Sequence, residues 1–93
     1  MDENKYIGRV VYSKQGRDAE KCFIICGVVN DEYVYIVDGS LRTVEKPKKK
    51  KIKHLIFTDK VAAEIRELIL NDQMISNSKV KRFLQSEDSD KEV

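Results

Sequence analysis

Apolar and polar residues change period along this chain, and the change divides it into a strand-rich part and a helical part. Residues 7–14, IGRVVYSK, are β-branched and aromatic with a polar end, and they predict a strand. Gln15-Gly16-Arg17-Asp18 then predicts a turn. Residues 21–29, KCFIICGVV, are the most apolar run. Alternation puts Cys22, Ile24, Cys26 and Val28 on one face and Phe23, Ile25, Gly27 and Val29 on the other. Both faces are apolar, so this strand is central or curls into a barrel. Gly27 stands where such a strand would bend.

Asn30-Asp31-Glu32 predicts the next turn and residues 33–37, YVYIV, a short strand of high β-propensity. Asp38-Gly39 is a hairpin signal of the type I′ kind. Leu41 to Val44 predicts a brief fourth strand, ended by Lys46-Pro47, and residues 52–57, IKHLIF, a fifth. Short strands joined by turns indicate a small barrel rather than alternating strand and helix units. Thr58 then reads as a helix N-cap for 59–71, with Val61, Ile65 and Leu68 on one stripe. Ser78 reads as the cap of a second helix carrying Val80, Phe83 and Leu84 on one side. From Gln85 there is no large apolar residue before Val93, which predicts a disordered acidic tail over 86–93. The expected organisation is a barrel over 5–58, a helical extension over 59–85 and that tail.

Charge sharpens the picture more than composition does. The 93 residues carry a formal net charge of only +2, with 37% charged and 41% hydrophobic residues, as in a folded chain with a well-solvated surface. Within that balance, residues 41–55 hold Arg42, Lys46, Lys48, Lys49, Lys50, Lys51 and Lys53 against Glu45 alone. The end of the chain holds Glu87, Asp88, Asp90 and Glu92 against Lys91. One concentrated basic stretch points to a polyanionic partner. The acidic tail reads either as a solubilising segment or as a competitor for that stretch.

Other chemistry is sparse. Cys22 and Cys26 lie on one strand, where their α-carbons would be roughly 13 Å apart, beyond the roughly 7 Å limit of a disulfide. They are expected to be buried free thiols, with no metal site, since His54 is the only histidine. No nucleophile, histidine and carboxylate constellation and no glycine-rich phosphate loop is evident, so neither an enzyme, a cofactor nor a small-molecule substrate is expected. No apolar run reaches the roughly 18 residues of a membrane span, and the polar start Met1 to Lys5 does not resemble a signal peptide. The expectation is a cytoplasmic protein with no membrane contact.

The segment Gly8 to Asp18, GRVVYSKQGRD, resembles a KOW motif: a strand, a glycine turn and a second strand. Glu20 stands where many KOW sequences have a second glycine. The following YVYIVDGSLRTVEKPKKKKIKHL is similar to large-subunit ribosomal proteins of the L-fourteen-e type and their short stand-alone bacterial relatives, which share the Val37-Asp38-Gly39 turn and a basic stretch ending as Lys53-His54-Leu55 does. The resemblance implies an SH3-like barrel of about five strands, mainly β with C-terminal helices, binding ribosomal or other structured RNA, with ribosomal proteins as further partners.

On that reading Lys14, Arg17, Arg42, Lys48, Lys49, Lys50, Lys51, Lys53 and His54 are the expected RNA-binding residues. Each has a plainer account. Gly16 is either a tight turn or a close approach to phosphate, and Lys14 and Arg17 are loop charges or phosphate contacts. Arg42 is equally a partner for Asp38 or Glu45. His54 alternates with Lys53, so one of the two points inward. Tyr12, Tyr33 and Tyr35 either stack on bases or complete a core edge, and Lys79, Lys81 and Arg82 read best as a solvated helix face. Four adjacent ammonium groups at 48–51 repel one another, and folding alone offers no reason for them. Lysine binds phosphate without a base code, so affinity with little sequence preference is expected. The rival class is a protein-interaction module, because SH3-like barrels also bind peptides and fold does not fix function.

Overall fold

The computed structural model describes residues 5–14 and 21–91, with side chains placed as far as Ser86. Five strands, β1 (Arg9–Ser13), β2 (Cys22–Val28), β3 (Tyr33–Val37), β4 (Lys48–Lys51) and β5 (Leu55–Val61), are followed by two helices, α1 (Ala63–Leu70) and α2 (Asn77–Lys91). All pairings are antiparallel, in the order β4-β3-β2-β1-β5. The two edge strands, β4 and β5, are consecutive in the chain and joined only by a 3-10 turn, Ile52–His54. In a flat sheet they would lie roughly 19 Å apart, four strand spacings. A 3-10 turn rises only about 2 Å per residue. The sheet must therefore curl until its edges approach, which makes it a small β-barrel-like domain. Register shifts at Arg9/Val11 and Ile25/Gly27 supply local bends.

Two apolar layers explain why β2 is apolar on both sides. Val11, Phe23, Ile25, Val34, Ile36 and Leu55 fill the barrel. On the outer face Val10, Ile24 and Val37 pack under Ala62, Ile65, Val80 and Leu84 of the helical part. Each buried valine, isoleucine or leucine among them contributes roughly 1.5–3 kcal/mol, so the helices form part of the core. The bulge at Ile25/Gly27 breaks alternation in β2: Cys26 joins the outer layer and Val28 the inner one.

Several boundaries move from their expected places. Leu41 to Val44 is not a strand. Asp38 Oδ1 accepts hydrogen bonds from the Ser40 and Arg42 N–H groups, and Val44 N–H donates to Asn77 Oδ1, so side chains take the backbone donors a ladder would need. The fourth strand is the lysine run instead. Thr58 is not a cap; its hydroxyl donates to Val10 O at 2.7 Å within β5, which runs on to Val61. Consequently Val61 lies on a strand and is 40% exposed, while Ile65 carries the buried stripe. The second helix is capped by Ser76, whose Oγ accepts from Lys79 N–H, rather than by Ser78. That helix continues to Lys91, through most of the stretch expected to be disordered.

Glycines set the helix docking. Gly39, at φ +82°, leaves room where a Cβ would lie 2.5 Å from Asn77 O; Gly8, also at +82°, does the same against Arg66 Cβ at 2.7 Å. Both positions demand a left-handed backbone and a close approach.

Candidate nucleic-acid interface

The antiparallel register divides the four lysines of β4 into two pairs. Lys48 and Lys50 stand opposite Ile36 and Val34, whose side chains fill the barrel. Lys49 and Lys51 stand opposite Tyr35 and Tyr33 on the outer face. There the Lys49 ammonium lies 4.8 Å and the Lys51 ammonium 5.6 Å from the centre of the Tyr33 ring. Such cation–π contacts contribute about 0.5–1 kcal/mol at exposed sites. The Tyr35 ring passes over Gly27, where an added Cβ would sit 3.4 Å from Tyr35 Cδ2, and it remains 38% exposed. The helices cover the outer face at Val37 and Ile24. No described carboxylate pairs with any of the four lysines. The patch is thus a row of cations beside two aromatic rings on a rigid sheet.

The position of the run also supplies a structural use for lysine that the sequence did not suggest. An edge strand offers unpaired N–H and C=O groups to other chains, and lysines discourage such pairing.

The remaining expected site residues are distributed less evenly. At the end of the barrel Lys14 N–H donates to His54 O at 3.0 Å, and Lys14 Nζ donates to Lys53 O at 3.1 Å. Ile52 N–H donates to Glu32 O. Lys14, Lys53 and His54 therefore gather where β4 turns into β5. Lys51, Ile52 and Lys53 share a cleft of about 280 Å³ with Asp31 and Glu32, whose carboxylates oppose the positive field there. His54 and Lys53 occupy a 3-10 turn, so strand alternation does not govern them; Lys53 is exposed and His54 half-buried. Arg42 lies in the loop between β3 and β4 with its Nε enclosed; it is half-buried, as are Lys48, Lys50 and Lys51, whereas Lys49 is exposed. Gly16 and Arg17 lie outside the described residues.

Tyr12 is half-buried against the helix-covered layer and does not join Tyr33 and Tyr35. Lys79 is committed to Glu64 at 2.6 Å, bridging α1 and α2, and its hydrogen bond and charge hold the Glu64 carboxyl below its ordinary range. Glu45 is likewise held low, by the Asn77 side-chain amide at 2.9 Å. Cys22 and Cys26 are free thiols but half-buried rather than buried, and burial pushes the Cys26 thiol up to about 11. Among the described residues no three histidine, cysteine or acidic side chains cluster to hold a metal ion, and no helix is long and apolar enough to cross a membrane.

The pairing of Tyr33 with Lys51 and of Tyr35 with Lys49 was not read from the sequence. Its signal is the YVYIV alternation laid against KKKK, which has meaning only once the register is known. No protein-family model matches the chain, and no curated protein matches it.

Proposed function

We propose that this chain is a non-enzymatic RNA-binding protein of the cytoplasm that holds phosphates along β4, acting on ribosomal RNA or on the ribosome. The observation that carries the reading is the run Lys48–Lys51 on an edge strand, with no carboxylate partner among the described residues. A β-strand spaces same-side residues at about 6.6 Å, so the row presents regularly placed point charges to a polyanion. Lysine supplies electrostatic affinity without reading bases. Lys53 and Lys14 extend the row around the barrel end. The resemblance of residues 8–18 to a KOW motif agrees with this reading and favours ribosomal RNA.

The test is a titration of the full chain against ribosomal RNA fragments at several salt concentrations, with cosedimentation on ribosomal particles alongside. Affinity should fall steeply with salt, because each neutralised phosphate releases counterions. Weak binding that ignores salt would point instead to a protein-interaction module.

A further inference from the structure

The outer-face half of the lysine row differs from the inner half in having aromatic neighbours. Lys49 and Lys51 share their face with Tyr33 and Tyr35, whereas Lys48 and Lys50 stand opposite aliphatic Ile36 and Val34. Both outer ammonium groups lie over Tyr33. They leave the Tyr35 ring, seated over Gly27, uncapped and partly exposed.

We infer that this face binds unpaired RNA, with a base stacked on Tyr35 and the adjoining phosphates on Lys49 and Lys51, while Tyr33 holds those two lysines above the sheet. The inference rests on the RNA-binding reading and adds the class of RNA. One physical point selects unpaired strands. Base faces are available for stacking only where bases are splayed out, since a duplex buries them against each other. Stacking of this kind accepts every base, in keeping with lysine's lack of a base code.

The experiment compares binding of an oligouridine and of an RNA duplex of equal length to the full chain at one salt concentration. Tyr35→Leu, which keeps an apolar strand residue, should weaken oligouridine binding roughly five- to hundredfold, the range of one lost stack, and leave duplex binding unchanged. Tyr35→Phe should bind as the native chain does. Lys49→Ser with Lys51→Ser should cost more oligouridine affinity than Lys48→Ser with Lys50→Ser. The chain has no tryptophan, so its emission comes from four tyrosines, and a stacked base should quench it. This readout on the native chain serves if Tyr35→Leu fails to fold. If RNA binds but neither quenching nor a loss in folded Tyr35→Leu is seen, the stacking inference is overturned and RNA binding stands. If neither RNA binds, both readings fall.

Discussion

The two edges of the barrel meet the same hazard with different residues. β5 exposes Ile56 and Val61 and carries Asp59 and Lys60 as one opposed pair of charges. β4 carries lysine at all four positions. Both strands leave one side unpaired, and protection against edge-to-edge association is a need they share. If β5 manages with mixed charge, the same need does not call for four like charges on β4. The excess has a cost, because adjacent ammonium groups repel, and no described carboxylate forms an ion pair with any of the four. A polyanion that neutralises the row removes that cost on binding. Unequal solutions to an equal structural problem therefore support the proposal that β4 is the phosphate-binding edge.

The largest expected effect separates the edges directly. If the four lysines each engage a phosphate, their share of the salt dependence has a slope of about −2.8, using roughly 0.7 per phosphate for a single strand. RNA affinity should then fall roughly fiftyfold between 50 and 200 mM salt through these residues alone. Replacing Lys48, Lys49, Lys50 and Lys51 with serine should remove that dependence. Replacing Asp59 and Lys60 with serine should leave it intact. Binding isotherms at both salt concentrations, with circular dichroism to verify folding, check both. A quadruple variant that self-associates while binding RNA as before would reduce the lysines to edge protection.

How far the sequence disclosed this contrast depends on the range of the interactions involved. β3 was legible to the residue, because YVYIV combines alternation with strong β-propensity. The doubly apolar β2 was legible too, since two packed layers write themselves into both of its faces. β4 was legible as charge but not as strand. Its propensity is poor, and only pairing with β3 makes it extended, with a solvent-facing edge tolerating the ammonium groups. The start of α1 was hidden for a similar reason: Thr58 has the chemistry of a cap, yet the Val10 carbonyl takes its hydroxyl across the barrel. Gly39 was legible as a turn but not as a docking point, because Asn77 and Lys81 approach it from far along the chain. At the candidate site the lysines were visible, while the sorting of Lys49 and Lys51 toward the tyrosines required the register.

A smaller effect probes how each edge is tied to its helix. Gly39 sits on the β4 side against α2, and Gly8 on the β5 side against α1. Alanine at either must adopt a left-handed backbone, at about 1–2 kcal/mol. At Gly39 the new methyl also meets backbone atoms, Asn77 O at 2.5 Å and Lys81 N at 3.0 Å. At Gly8 it meets Arg66 Cβ, fixed by the helix backbone, at 2.7 Å, and the backbone atoms Ala62 O and Arg66 Cα only at 3.3 Å. Gly39→Ala should therefore destabilise more, by about 2–4 kcal/mol against about 1–3 kcal/mol for Gly8→Ala. Urea unfolding midpoints measure the difference. Equal losses would mean that α2 yields at Gly39 as easily as α1 does at Gly8, and that the loop leading to β4 is less firmly docked than its hydrogen bonds indicate.

The smallest effect contrasts two carboxylates that tie the same helix α2 to two different elements, α1 and the loop before β4. Glu64 on α1 is held low by the Lys79 hydrogen bond and charge, and Glu45 on the β4-side loop by the Asn77 amide. In both cases the folded protein favours the ionised form relative to the unfolded chain. Their contribution to stability is therefore present above the unfolded carboxyl values and is lost as pH falls through the depressed folded values. Both carboxylates are solvent-exposed, so the changes are small. Their salt response differs, because a charged partner is screened and a neutral amide is not. The native chain and Glu64→Gln should differ slightly in thermal midpoint at neutral pH and low salt, and converge either in acid or in 1 M salt. Glu45→Gln keeps a carbonyl oxygen that can accept from Asn77, so it should track the native chain at neutral pH in both salts. A Glu64→Gln deficit that survives 1 M salt would show that packing, rather than the Lys79 ammonium, joins α1 to α2 at this point.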